Sequence, residues 1–188
     1  MMKLTASLLV FLFVASANAA LPECAETLKR QSSSVSFERD KQVASCLETY
    51  SLKRDFSDEA LKQCLQVADF SSSERISEMR AGCLSHLRGG PNLNRCLEVA
   101  RTINTTQQLM TEFVGAPTRM RASLGNYREL SLFNCAAYFE NELSIEQCNA
   151  LTTDIENGLL KSNFGRLCSG ISRRARMNLR SKPVRSAN

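Results

Sequence analysis

With 188 residues, eight cysteines, one histidine and no tryptophan, the chain is sized for one domain with an adequate core of its own. The single histidine, His86, cannot by itself build a His-rich metal site, and no two cysteines form a CxxC pair, which excludes a zinc ribbon, a thioredoxin-like redox site and a haem attachment motif. The net charge of +5 divides unevenly: 17 Lys and Arg against 19 Asp and Glu from 20 to 168 leave −2, whereas six basic residues and no acid from 169 to 188 give +6.

The chain opens MMKLTASLLVFLFVASANA. Lys3 supplies a positive start, Leu4 to Ala15 an apolar core too short to span a bilayer comfortably, and Ala17-Asn18-Ala19 a small-x-small cleavage pattern. Residues 1–19 are therefore expected to be a signal peptide. The expected mature chain has no transmembrane segment. Its cysteines, Cys24, Cys46, Cys64, Cys83, Cys96, Cys135, Cys148 and Cys168, are even in number and all lie beyond that site. In an exported chain they read as a disulfide framework.

Helical patterns dominate the chain from residue 20 onward. Pro22 suits a first helical turn. Ala60, Leu61, Cys64, Leu65 and Ala68 form one apolar stripe, and Ile76, Met79, Cys83, Leu84 and Leu87 form the next. Between them Ser71 and Glu74 have the spacing of a capping box. Gly89-Gly90-Pro91 ends one helix and opens another, on the stripe Leu93, Cys96, Leu97, Ala100. Thr105 with Gln108, and Ser144 with Gln147, repeat the capping-box spacing. Residues 115–126 interrupt the rhythm and read as a connector between helical groups 20–114 and 127–172. Later stripes are Leu132, Phe133, Ala136, Phe139 and then Ile145, Cys148, Leu151, Ile155. Strand-like alternation is nearly missing. The expectation is an all-α fold of seven to nine helices in disulfide-stapled antiparallel hairpins, one domain over 20–172, with a basic tail at 173–188 disordered at its end.

The intervals Cys46–Cys64, Cys64–Cys83 and Cys148–Cys168 are 18, 19 and 20 residues. Each holds the end of one helix, a polar turn and the start of the next. A short helical repeat and a tightly stapled bundle both fit. Pairing follows from asking which cysteines lie equally far from a turn. Cys83 and Cys96 are level about Gly89-Gly90, and Cys135 and Cys148 about Asn141-Glu142. Placing the turn near Phe70 puts Cys64 and Cys83 out of level by roughly 10 Å, too far for a bond. Cys46 is level with Cys64 across Asp55 and also roughly level with Cys24 across Ser34. Cys46–Cys64 with Cys24–Cys168 tying the termini is favoured, and Cys24–Cys46 stays open.

The last helix extends past Cys168 on the stripe Leu160, Phe164, Leu167, Cys168, Ile171, Ala175, Leu179. Arg173, Arg176 and Arg180 share another face, with Arg174 beside them, and Lys182 and Arg185 come after. These six are the candidate polyanion-binding residues. Without aromatic residues among them, no base stacking or specific nucleic-acid recognition is indicated. Ser85 and His86 are neighbours on a helix and point to different faces, so they do not form a nucleophile–base pair. Scattered acids such as Asp58-Glu59 complement helix dipoles. No metal site or cofactor is expected. The expected function is that of an exported periplasmic or secreted interaction protein. It meets a protein partner through its helical surface, and anionic lipid, lipopolysaccharide or another polyanion through its tail. The other classes weighed are an envelope-acting enzyme or inhibitor and a structural envelope component.

Overall fold

The computed structural model describes residues 20–30, 36–105, 108–113 and 120–180. The expected signal peptide, Lys182 and Arg185 lie outside the described residues. Five helices come first: α1 (Ala20–Arg30), α2 (Ser36–Lys53), α3 (Asp58–Ala68), α4 (Ile76–His86) and α5 (Leu93–Thr102). An antiparallel ribbon of β1 (Gln108–Phe113) and β2 (Met120–Asn126) comes next, pairing Gln108 with Asn126 and Phe113 with Met120. Then come α6 (Tyr127–Tyr138), α7 (Ile145–Thr153) and α8 (Gly158–Arg180). The fold is all-α, and among the described residues the core is built by the helices and the turns beside them. Residues 120–126 of the expected connector are β2, and Gln108, expected in a helix start, begins β1. Ribbon pairing uses backbone groups, which no side-chain alternation marks here.

Local chemistry starts the helices. Ser57 Oγ accepts the Ala60 amide at α3, and Asn92 Oδ1 accepts the Arg95 amide at α5. At α7 the expected capping box of Ser144 and Gln147 is complete. A second one, Asn126 with Glu129, opens α6. Asn157 Oδ1 accepts the Leu159 and Leu160 amides at the head of α8. The expected box at Ser71 does not form. Ser71 Oγ donates to the Ala68 carbonyl, closing α3. The buried Asp40 carboxylate, from α2, accepts both the amide and the hydroxyl of Ser72 at 2.7 Å each. The chain therefore stays in turns until Arg75, which caps α4 with no side-chain bond. Gly89 and Gly90 end α4 at φ 84° and 81°. A Cβ at Gly89 would lie 2.7 Å from Cys96 Sγ, so this turn needs glycine for conformation and for space.

All eight described helices contribute buried apolar residues to one cluster, from Leu28 on α1 through Val43 and Leu47 on α2 to Phe164 and Ile171 on α8. Each fully buried leucine or phenylalanine of that cluster contributes on the order of 1.5–3 kcal/mol. The Phe133 ring meets Phe164 edge-on at 5.3 Å.

Four disulfides join the helices in odd–even pairs. Cys24–Cys46 links α1 to α2, Cys64–Cys83 links α3 to α4, Cys96–Cys135 links α5 to α6, and Cys148–Cys168 links α7 to α8, with Cα separations of 6.1, 5.7, 5.7 and 5.6 Å. This corrects the two level pairs and the favoured Cys46–Cys64 with Cys24–Cys168, and decides for the open alternative Cys24–Cys46. Cys83–Cys96, Cys135–Cys148 and Cys46–Cys64 would have joined the helices across the other turns, one step out of phase, and Cys24–Cys168 does not form. The expectation took the α3–α4 turn as a point at Phe70. In the fold it spans 69–75, so Cys64 lies four residues before the end of α3 and Cys83 seven after the start of α4. The offset falls to about 4.5 Å, within reach of a bond. Levelness also does not make a contact: α5 packs chiefly on α6 and only lightly on α4, and α7 packs on α8. The ribbon is an insertion within the third pair, whose cysteines are 39 residues apart against 19 to 22 in the others.

Four disulfides place the protein in an oxidising compartment rather than a reducing cytoplasm. Among the described residues no helix is long and apolar enough to cross a membrane.

Candidate functional site

The longest helix, α8, carries the basic cluster. Its apolar stripe faces the core through Leu160, Phe164, Cys168 and Ile171, the last only 8% exposed. From Arg173 to Met177 every side chain is exposed while the backbone stays helical to Arg180. The first residues of the expected tail, 173–180, are thus a continuation of a helix that the Cys148–Cys168 disulfide fixes to α7.

The three arginines with described side chains play different parts. Arg174 reaches back to Glu140, beyond the C-terminus of α6, and both guanidinium contacts with the carboxylate are 3.3 Å. Its charge is already matched. Arg173 Nε donates to the Ser169 carbonyl and Arg176 to Ser172 Oγ, at 3.4 and 3.2 Å, both within their own helix. Among the described residues neither has a carboxylate partner. Arg180 is helical, with its side chain outside the described set.

Arg173 and Arg176 stand at one end of a groove of about 500 Å³ between α7 and α8. One wall is Ile145, Asn149 and Thr152, which recur at the spacing that keeps residues on one helix face. The other is Gly165, Ser169 and Ser172. Nothing lies within 4 Å of where a Cβ would stand at Gly165, so the groove is open there. Thr152 Oγ1 donates to the Cys148 carbonyl and lies 3.7 Å from Cys168 Sγ, joining the groove to the disulfide beneath it. Apart from Ile145 and the disulfide sulfur of Cys168, the lining is small, neutral and hydrogen-bonding, with cations at one end and no carboxylate. Such a surface accepts an extended acidic segment better than an apolar one.

The sequence marked the arginines but not the groove. Asn149, Thr152, Ser169 and Ser172 are ordinary polar residues until α7 and α8 are set side by side. Among the described residues no three His, Cys, Asp or Glu side chains cluster to hold a metal ion. Compared with protein-family models, curated proteins and solved structures, the chain finds no match.

Proposed function

We propose that this chain is an exported binding protein, periplasmic or secreted, that takes an acidic segment of a partner protein along the α7–α8 groove. The basic end of α8 supplies the electrostatic attraction. Export is read from the Ala17-Asn18-Ala19 cleavage pattern and agrees with an oxidised cysteine set. The observation that carries the reading is the pair of exposed guanidiniums, Arg173 and Arg176, which among the described residues have no carboxylate partner, at the mouth of a groove with no acidic lining. Lys182 and Arg185 extend the positive charge beyond them. Guanidinium groups match carboxylates in a two-pronged geometry, and a local positive field also speeds encounter. A protein partner is favoured over a lipid surface because the exposed stretch 173–177 offers little to insert, with Met177 its only large apolar side chain.

The test uses residues 20–188, oxidised, with poly-glutamate as the acidic probe and phosphatidylglycerol vesicles as the lipid alternative. Poly-glutamate binding should weaken as salt rises. It should fall about tenfold in R173A/R176A, as expected for two lost contacts of somewhat under 1 kcal/mol each. R174A should change it little, because that charge is matched by Glu140. Binding that ignores salt and survives R173A/R176A overturns the reading. Preference for the vesicles, lost in the same variant, replaces the protein partner by a membrane surface.

A further inference from the structure

A second recess, of about 530 Å³, lies where α2 and α4 end side by side. It shares no residue with the α7–α8 groove. Its lining is Ser51, Arg54, Phe56, Ser85, His86 and Arg88. We infer that this recess is a phosphate-binding site.

Three observations meet there. The first is charge without compensation. Arg75, Arg80, Arg95 and Arg174 each lie against a carboxylate. Among the described residues Arg54 and Arg88 have no such partner, and no carboxylate lines the recess. The nearest acid in sequence to Arg54, Asp55, is not among the lining residues and accepts the Ser57 amide at 3.0 Å. That hydrogen bond holds its carboxyl below the usual range.

The second is backbone conformation. Among the described residues Arg54 and Arg88 are the two non-glycines with positive φ, at 51° and 47°. Arg88 stands where a glycine normally ends a helix: its amide donates to the Ser85 carbonyl at 3.2 Å, and the Gly89 amide to the Leu84 carbonyl at 2.7 Å. Side chains are disfavoured in this conformation, and strain of this kind gathers at functional sites. A cation at a helix C-terminus does complement the dipole. That accounts for one basic residue at each helix end. It does not account for both strained positions being arginine and both opening on one recess beside an imidazole.

The third is orientation. The Arg88 guanidinium lies over the Phe56 ring at 6.0 Å. A cation–π contact at this distance draws the guanidinium to the ring face, and Phe56 has no hydrogen-bonding group to occupy its N–H donors. Two guanidinium forks, an imidazole and the Ser85 hydroxyl provide more donors than the two oxygens of a carboxylate accept, and suit the three or four oxygens of a phosphate. The phosphate can be free or the headgroup of a lipid. Leu52, one residue from Ser51 of the lining, is 81% exposed and is an apolar side chain that a lipid would use.

The test again uses the oxidised chain 20–188. Inorganic phosphate and glycerol phosphate are titrated by calorimetry, and phosphatidylglycerol and phosphatidylcholine vesicles are compared by flotation. The decisive variant is R54G/R88G, which removes both guanidiniums and relieves both strained positions. It should be at least as heat-stable as the parent and lose phosphate binding by tenfold or more. Binding confined to phosphatidylglycerol vesicles, lost in R54G/R88G and weakened in L52S, assigns the phosphate to a lipid and upholds the site. No binding to any probe overturns it. So does binding that survives R54G/R88G. Anion binding that survives there and disappears in R173A/R176A belongs to the α8 groove, so the two proposals fail separately.

Discussion

Cys64 is bonded to Cys83 across the turn from α3 to α4, with Cα atoms 5.7 Å apart. The same step from one helix to the next recurs at each of the other three disulfides. Mapping of non-reduced peptides should link Cys24 to Cys46, Cys64 to Cys83, Cys96 to Cys135 and Cys148 to Cys168. Replacing Cys64 and Cys83 together by alanine should cost roughly 3 kcal/mol in denaturant unfolding. The Cys96–Cys135 pair closes a loop of 39 residues against 19. On chain entropy alone its loss should cost about 0.6 kcal/mol more. A peptide linking Cys83 to Cys96 would refute the arrangement.

Glu129 is 4% exposed, and its carboxylate accepts three backbone amides: Asn126 at 3.0 Å, Glu156 at 2.5 Å and Asn157 at 3.0 Å. It thereby ties the start of α6 to the turn that joins α7 and α8, the two helices that line the candidate groove. Glu129→Ala leaves three amides without that acceptor and should destabilise by about 3 kcal/mol or more. Glu129→Gln keeps one acceptor oxygen and should cost less. Urea unfolding of the two variants checks the order, and equal stabilities would refute this role.

Tyr50 is among the largest fully buried side chains, and burial pushes its phenol up to about 12. The unfolded value is about 10. A raised folded value means the fold favours the neutral phenol. Its contribution is complete below about pH 10 and is lost as the pH rises through 12, by on the order of 1–3 kcal/mol. Tyr50→Phe cannot ionise and should lose less stability between pH 9 and 12 than the parent. Parallel stability curves for the two proteins over that range would count against the assignment.

What could be read from the sequence is what a helix decides within one or two turns of itself. The apolar stripes, the Gly89-Gly90 stop, the box at Ser144 and Gln147, and the run of α8 beyond Cys168 all rest on contacts between near neighbours. The pattern at Ser71 and Glu74 failed for a long-range reason: Asp40, 32 residues before Ser72, takes the amide and hydroxyl of that turn. The ribbon left no signal because its bonds are between backbone groups. The choice of disulfide partners, the α7–α8 groove and the meeting of Arg54 with Arg88 all depend on which helices pack together. Contacts such as Arg95 with Asp58, 37 residues apart, belong to that level. A linear pattern records which face of a helix is apolar; it does not record which neighbour covers that face, because any apolar face of matching shape satisfies the same requirement until the whole chain is packed.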